Sequence, residues 1–409
     1  MEIRHILSAL WRTRTGPILI AVQIAFALAV LVNVTYMVEQ RLTAYSEPTG
    51  IDIENIFWVS TTAYTPDYDQ KSALESDLQW LNSLPGVIAA SASVTLPQVF
   101  WGIGLPFSAS ADPHAPNEGS RLYMMSARAV ETLGLKLASG RTFSPAAVAP
   151  VSADVGTALG KWAPEVLITQ TLADRVFPNG DALGKNLYVG LVNRSAKVVG
   201  IIQTMQGAPI TGPFSRWGRQ AVIVPINPPG PNGLYLIRTH PGRQAEVMAR
   251  VEKEFVDRVP GRYVVQIQTL ARTAYNTRNG LRTSSIILGV VTLLVLAVSA
   301  IGIFGLAVFN VTTRTKQIGT RRAVGARRFH ILRYFLVENW LVTTSGVVVG
   351  CVLALAGGVI MSRLAQAPRL PLYYLVGGVL FVWALGLLSV LLPARRAADI
   401  SPAVATRTV

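Results

Sequence analysis

The sequence predicts an α-helical membrane protein in which four transmembrane helices carry an α+β region outside the bilayer. Composition is the first observation, since 51% of the 409 residues are hydrophobic and only 14% are charged, against about 45–50% and about 25% in soluble domains. The second is a set of four charge-free apolar runs, each long enough to cross about 30 Å of hydrocarbon. The third is a long stretch of ordinary polarity, residues 39–282, after the first run. Together these exclude a disordered chain and a plain soluble enzyme.

The apolar runs are predicted to be helices, because a helix satisfies its backbone hydrogen bonds within one lipid-facing segment. The first run is longer than the roughly 7–15 apolar residues of a secretory signal core, which favours a retained helix over a cleaved leader. The second run exceeds one bilayer thickness, so we expect it to tilt or to project outward as a stalk. The four predicted transmembrane helices cover residues 16–38, 283–313, 339–362 and 370–394.

The placement of Lys and Arg predicts the orientation, since short cytoplasmic flanks carry an excess of basic residues. Three such flanks, residues 1–15, 309–340 and 393–409, hold 13 of the 37 basic residues and 3 of the 22 acidic ones. Both termini are therefore predicted to lie in the cytoplasm, and the net charge of +15 is assigned to membrane anchoring rather than to nucleic-acid binding. The remaining predicted segments are a cytoplasmic N-terminal segment at 1–15, a cytoplasmic segment at 314–338, a short outer loop at 363–369 and a cytoplasmic tail at 395–409.

Two strand-helix-strand units are predicted at the two ends of the long outer stretch. Apolar periodicity places the first at strand 55–62, helix 71–84 and strand 87–94, and the second at strand 233–239, helix 243–259 and strand 263–268. A Pro-Gly pair follows each helix and ends it. Paired units of this kind predict one small α/β domain, residues 39–95 and 233–282, that is split by an insertion.

The insertion, residues 96–232, is predicted to be a β-rich module. It is richer in Gly, Pro and Ser, and a linker rich in Pro and Gly leads from it back to the first domain. Its β-prone runs are short, at 165–169, 186–189 and 196–202.

A dense basic segment, RTKQIGTRRAVGARRFHILRYFLVEN, lies between the second and third predicted spans, at residues 314–339. Gly325 and Ala326 permit a break between two helices there. After the break, an amphipathic helix is predicted from apolar residues at helical spacing, which are Phe329, Leu332, Phe335 and Leu336. Such a helix either lies on anionic lipid or docks into a groove on a partner, and the plain alternative is a positive-inside anchor.

Catalytic chemistry is not indicated. No GxxxxGK[S/T] motif occurs, and the nearest imitation, at Gly180, Gly184 and Lys185, is predicted to be a turn before a strand. The single cysteine, Cys351, excludes a cysteine-based metal cluster, and the four histidines lie far apart. We therefore predict no catalytic, cofactor-binding or metal-binding residues.

Within the spans, small and polar residues predict helix contacts. Gly346 and Gly350 allow close helix approach, which favours packing inside one subunit over a dimer seam. Gln23 and Asn33 are expected to hydrogen-bond another helix, with substrate contact as the alternative. The spans are predicted to contain no buried ionisable residue, which argues against a proton relay or an ion pathway.

Several motifs resemble FtsX-like permeases, the four-span subunits of MacB-type ABC transporters. One is the order charged-x-Ile-Gly-x-Arg-Arg-Ala-x-Gly-Ala-x-Arg at residues 316–328. The closing PARRAADISPAVATR, residues 393–407, is similar to the family's cytoplasmic ending. Stretches 133–144 and 172–204 look like the family's periplasmic core domain. The resemblance thus covers nearly the whole chain.

The resemblance implies a bacterial inner-membrane (plasma-membrane) permease subunit with a porter-like α/β domain, a periplasmic loop and a dimer of identical or related chains. It also implies that an ABC ATPase, which itself holds ATP and Mg²⁺, docks on the cytoplasmic helix. Gln317 replaces a usual glutamate and Thr320 a common apolar residue, which removes one expected charge contact to the ATPase. On the family pattern the ATPase-coupling segment comprises Arg314, Lys316, Ile318, Gly319, Arg321, Arg322, Ala323, Gly325, Ala326 and Arg327.

The predicted function is that of a non-catalytic permease subunit, which couples ATP hydrolysis by the partner to export of a peptide, drug, toxin or lipid. Expected further partners are a periplasmic adaptor, an outer-membrane channel and membrane lipid, but not nucleic acid. The alternative is an FtsX-like mechanosignalling subunit that regulates a cell-envelope hydrolase or sensor. The two-module loop favours transport, because regulatory relatives usually have a smaller one.

Overall fold

The structure is a computed structural model, which describes residues 15–46, 48–65, 68–99, 101–149, 163–190, 194–208, 217–228, 232–255, 257–364 and 370–399. The predicted cytoplasmic ends and most of the predicted short outer loop lie outside these ranges. The chain divides into a helical unit, residues 1–42 and 282–409, and a sheet unit, residues 43–281.

The helices are α1 (Thr15–Ser46), α2 (Gln70–Ser83), α3 (Ala129–Leu133), α4 (Gln170–Val176), α5 (Gln244–Glu254), α6 (Leu270–Thr313), α7 (Thr315–Ala323), α8 (Arg328–Leu364) and α9 (Leu372–Asp399). The strands are β1 (Ile56–Ala63), β2 (Val87–Ala92), β3 (Ile103–Ser108), β4 (Glu118–Met125), β5 (Leu137–Gly140), β6 (Glu165–Thr169), β7 (Asn186–Val189), β8 (Arg194–Ile202), β9 (Ala221–Pro225), β10 (Asn232–Thr239) and β11 (Arg262–Thr269).

Four helices in the described part of the chain are long and apolar enough to cross a membrane, namely α1, α6, α8 and α9. This confirms the four predicted membrane helices. All four extend beyond their apolar runs at one end or both, and α6 and α8 do so the most, because polar residues continue the helix where hydrophobicity ends. The backbone N–H of Arg272 donates to Thr269 Oγ1 at 3.2 Å, which caps α6 well before its apolar run begins.

Glycines bring the membrane helices of the helical unit into close contact. A Cβ atom added at Gly346 would lie 2.6 Å from the Ala21 carbonyl oxygen, and one at Gly350 would lie 3.0 Å from Ala25 Cα. Both contacts join α8 to α1, so the glycine pair packs inside one subunit, as predicted. Asn33 adds a hydrogen bond across the same interface, from its Nδ2 to the Ala354 carbonyl at 3.2 Å.

The sheet unit contains a four-stranded antiparallel sheet in the order β11-β1-β10-β2. Each strand-helix-strand unit contributes two of these strands, and the two units interleave, because β1 lies between β10 and β11. Helices α2 and α5 cover one face through a buried cluster that includes Leu74, Leu81, Val247 and Val251. The prediction of one α/β domain built from both ends of the outer stretch is therefore confirmed.

The remaining strands form a second sheet in the order β5-β8-β6-β9-β4-β3-β7. An additional pairing of β7 with β8 closes six of these strands into a small barrel, and β5 pairs with β8 outside that ring. Alternation of side chains separates two cores: Leu122 and Met124 face the barrel core, whereas Tyr123 and Met125 pack with the four-stranded sheet. The prediction of a β-rich module is thus confirmed.

A buried ion pair links strand β11 to helix α2. The side chains of Asp77 and Arg262 are 0% and 1% exposed, and Arg262 Nη2 donates to Asp77 Oδ1 at 2.9 Å. Tyr235 Oη donates to Asp77 Oδ2 at 2.7 Å. Arg262 Nη2 also donates to the Phe255 carbonyl at 3.0 Å. This last contact satisfies a carbonyl at the end of α5, so the helix ends at Glu254 and the predicted extension to residue 259 is wrong.

Candidate coupling site

Helix α6 is anchored in the sheet unit at its N-terminal end. Leu270 is fully buried and belongs to the core shared by the two sheets. One turn later, Trp58 Nε1 donates a buried hydrogen bond to Thr273 Oγ1 at 2.8 Å. Since Ala274 is buried as well, the first turns of α6 are fixed to strand β1 by both packing and hydrogen bonding.

From that anchor, α6 continues without interruption for 44 residues to Thr313. At 1.5 Å per residue this is about 66 Å, roughly twice the thickness of the hydrocarbon core. A single helix therefore joins strand β11 of the α/β domain to the basic segment at the other end. The prediction that this helix tilts in the membrane or projects outward as a stalk stays a prediction.

The basic segment begins with a sharp elbow. Arg314 alone separates α6 from α7 as a turn residue, and the Ile318 amide donates back to the Arg314 carbonyl at 2.9 Å. A second break separates α7 from α8, where Gly325 has φ = 101°. Only glycine adopts this backbone region at little cost, so the predicted break at Gly325 and Ala326 is confirmed.

Arg314 turns inward at the elbow and binds α8. Its Nη1 donates to both carboxylate oxygens of Glu338, at 3.1 and 3.0 Å. The same nitrogen lies 3.1 Å from Tyr334 Oη. The two charged side chains are 19% and 6% exposed, which makes this a largely buried ion pair.

Helix α7 has a buried face and an exposed face. Ile318 and Gly319 are buried, and Ile318 belongs to the apolar cluster of the helical unit. Lys316, Thr320 and Ala323 are exposed. The exposed face continues into the loop with Val324, which is 85% exposed.

The other residues of the predicted coupling segment follow the same division. Arg327 is exposed, Ala326 is half-buried and Gly325 is exposed in the loop. The side chains of Arg321 and Arg322 lie outside the part of the chain that the structure describes. The described segment therefore presents one mixed basic and apolar surface, with Arg314 and Ile318 turned away from it.

Helix α8 packs into the helical unit through a stripe that is not identical with the predicted apolar face. Phe329 is 65% exposed, whereas Ile331 and Phe335 are buried. The buried positions 331, 335, 338 and 342 recur at intervals of four, three and four, which is a helical stripe. Phe335 belongs to this stripe, whereas Phe329 stays on the exposed side of the helix.

Glu338 is a functional candidate that the sequence prediction missed. It lies one residue before the predicted third span and inside the span-length helix α8, so the prediction of spans without a buried ionisable residue does not extend to it. A search for charge-free apolar runs ends each run at the first charged residue, so it leaves Glu338 outside the predicted span. The available signal was the spacing of Tyr334 and Glu338, which share one helix face four residues apart.

A small cavity of about 30 Å³ lies beside Glu338. Asn310, Glu338 and Asn339 supply its polar lining, and the remaining lining residues are mostly apolar. This volume corresponds to about one or two water molecules, so the cavity is too small for a drug-sized ligand. Among the described residues, His, Cys, Asp and Glu side chains do not form a group that could hold a metal ion.

Two family models match the chain. The model described as MacB-like periplasmic core domain covers residues 18–273. The model described as FtsX-like permease C-terminal covers residues 289–402. Together they cover the basic segment and most of the sheet unit and of the four membrane helices, leaving residues 274–288 between them.

Curated relatives match over part of their length. The chain is 30% identical over 251 residues to the macrolide export ATP-binding/permease protein MacB of Marinobacter nauticus, an alignment that covers 59% of this chain and 38% of that protein. It is 37% identical over 122 residues to an ABC transporter permease, YknZ, of Bacillus subtilis, covering 30% and 31% of the two chains. The chain thus spans less than two fifths of the length of these relatives.

Solved structures of extracytoplasmic domains are also similar. The periplasmic region of MacB from Actinobacillus actinomycetemcomitans matches with a TM-score of 0.31 and 13% identity, covering 58% of this chain and 98% of that one. The extracellular domain of YknZ from Gram-positive bacteria matches with a TM-score of 0.30 and 15% identity, covering 51% and 100%.

Proposed function

The chain belongs to the MacB-like, FtsX-like family of ABC transporter permeases, an inner-membrane protein with a periplasmic loop, and on that premise we propose that it transmits ATP-driven movement to that loop. In this proposal a partner ATPase binds the exposed face of α7 and the loop after it. Closure of two ATPase subunits then displaces α7, and α6 carries the displacement to the α/β domain. In this proposal ATP and Mg²⁺ bind to the partner ATPase, and this chain catalyses no reaction.

The observation that carries this proposal is the anchoring of α6 at its outer end together with its unbroken length. A helix transmits displacement well when it is rigid and when both of its ends are packed. Leu270 and the Trp58–Thr273 hydrogen bond fix α6 to the sheet unit. At the other end, one turn residue connects it to the proposed docking helix.

The surface chemistry of α7 supports a protein partner. Lys316 and Arg327 are exposed beside the apolar side chain of Val324. A surface that combines an apolar anchor with basic residues suits an apolar groove rimmed by acidic residues. The missing glutamate at Gln317 means that this contact depends on the basic residues, so we propose that they carry the electrostatic part of docking.

We propose that the substrate is handled outside the membrane and is exported as a peptide, drug, toxin or lipid by a dimer of permeases, with both termini in the cytoplasm. The cavity beside Glu338 is too small for such cargo. The sheet unit contains two modules, each with a core of its own in addition to the core that they share, and we propose that their surfaces are where the substrate is handled. An adaptor and an outer-membrane channel would complete the path.

The test is reversal of charge on the proposed docking segment. The double variant Arg321→Glu and Arg322→Glu replaces attraction to an acidic partner with repulsion, so we expect affinity for the partner ATPase to fall about 10- to 100-fold. Co-purification and permease-stimulated ATP turnover measure this, after membrane insertion has been verified.

Arg363→Glu is the matched control, because Arg363 is likewise basic and is exposed at the opposite end of α8. We expect it to retain the ATPase. Undiminished co-purification and stimulated turnover in the double variant would refute docking on this segment.

A further inference from the structure

We propose that Arg314, Tyr334 and Glu338 form a clamp that fixes the elbow between α6 and α7 to helix α8. Through it, α7, α6 and α8 move as one body. Arg314 and Glu338 are thereby positioning residues rather than residues that bind the ATPase. This inference rests on the proposed function, since it specifies how motion of the docked helix enters the membrane helices.

The geometry of the elbow requires such a contact. Arg314 is the one turn residue between two helices, and α7 is only nine residues long. A short helix attached through a single turn could pivot about that turn, and its displacement would then not be passed on to α6. Instead, the side chain of the turn residue itself reaches α8 and contacts two residues one helical turn apart, Tyr334 and Glu338.

Burial makes the loss of either partner costly. Glu338 is 6% exposed, so removing one charge leaves the other buried and uncompensated. Arg314 Nη1 lies within hydrogen-bond distance of both carboxylate oxygens, and such charge-assisted hydrogen bonds are stronger than neutral ones. Ile318 adds an apolar contact one turn later, in the same buried cluster as Ile331 and Phe335.

A second ion pair in the same unit provides a contrast. Arg328 and Asp399 join the start of α8 to the end of α9, with their nearest atoms 3.1 Å apart, but their side chains are 69% and 64% exposed. Exposed pairs contribute little because water competes with them. The described residues thus offer one buried and one exposed pair in the helical unit, and only the buried pair holds the elbow.

The direct test measures mobility of α7 in the permease alone. The chain contains one cysteine, Cys351, so Cys351→Ala gives a background in which Thr320→Cys, at an exposed position on α7, carries a single spin label. In Glu338→Gln, which is nearly isosteric, we expect the spectral component of the immobilised label to be lost. Tyr334→Phe keeps the ion pair and should cause a smaller change in the same direction.

Asp399→Asn is the matched control and should leave the label spectrum unchanged. The exchanged pair Arg314→Glu with Glu338→Arg should restore the immobilised component. Identical label mobility in the parent and in Glu338→Gln would overturn the clamp, and so would a folded exchanged pair that remains as mobile as the single variant.

A second readout connects the clamp to function. In complexes with the ATPase, Glu338→Gln should co-purify as the parent does, because Glu338 is buried away from the exposed face of α7. The shift that ATP causes in the sheet unit should nevertheless be lost. Weakened co-purification with an intact ATP-dependent shift would contradict a positioning role.

If the parent chain itself shows no ATP-dependent shift, the proposed function fails. The mobility measurement still decides the clamp in that case, because it uses no nucleotide and no partner.

Discussion

Removal of the Asp77 carboxylate should destabilise the sheet unit severely. Asp77 and Arg262 are fully buried, and Asp77 also accepts a hydrogen bond from Tyr235. Asp77→Ala leaves a buried guanidinium without its counter-charge and a buried hydroxyl without its acceptor. Breaking a buried pair on one side costs about 3–5 kcal/mol, most of it the cost of the uncompensated charge.

Hydrogen exchange of the full-length chain is the appropriate assay. The slowest amides of β1, β10 and β11 report the free energy of opening the four-stranded sheet. In Asp77→Ala this free energy should fall by about 3–5 kcal/mol. Glu246→Gln is the control, since Glu246 pairs with Arg243 on the exposed side of α5, and it should change the value by less than about 0.5 kcal/mol.

Replacing the whole buried network should restore stability. Joint replacement of the network by Asp77→Leu, Arg262→Met and Tyr235→Phe removes the unpaired groups together with the pair, so it should recover most of the lost free energy. A decrease of less than about 1 kcal/mol in Asp77→Ala would refute the argument that the buried charge dominates.

Two further predictions concern the barrel and the topology. Arg141 donates to Glu165, and this contact, with the Ser144 amide at 2.9 Å, holds the pKa of Glu165 below its ordinary 4.5. A carboxyl with a lowered folded-state pKa stabilises above its unfolded pKa, so this contribution should disappear as pH falls below about 4.5 and through the lowered value. Glu165→Gln should flatten that dependence in thermal unfolding, and an unchanged dependence would contradict it. For topology, an impermeant maleimide should label Asn117→Cys in intact cells and Thr320→Cys only after permeabilisation; the reverse pattern would overturn the assigned orientation.

Individual strands and helices were predictable because the spacing of apolar residues along a short stretch of chain indicates them. The strand predicted at residues 165–169 coincides with β6, and that predicted at residues 186–189 coincides with β7. That the two strand-helix-strand units share one α/β domain was also predicted. Closure of the barrel was not, because its parallel pairs join distant residues such as Arg121 and Ala221, and alternation along one strand carries no information on its partner.

The extent of the apolar runs also did not predict where the membrane helices end. A helix continues as long as its backbone groups are hydrogen-bonded and its ends are capped, whatever the polarity of its side chains. Helix α6 therefore begins at Leu270 rather than at residue 283. Glu338 was missed in the same way, because pairing with Arg314 permits a charge where an apolar scan stops. The family motif predicted where a coupling segment would lie, and the buried face of that segment emerged only from its three-dimensional packing.

Transmission through α6 is the central claim, and one distance tests it most directly. Spin labels at Asn117→Cys in the barrel module and at Leu372→Cys, an exposed position at the start of α9, report movement of the sheet unit relative to the membrane helices. In a reconstituted complex with the ATPase, the account predicts that the distance distribution shifts between the nucleotide-free and ATP-bound states. The same distribution in every nucleotide state, with ATP turnover intact, would contradict it.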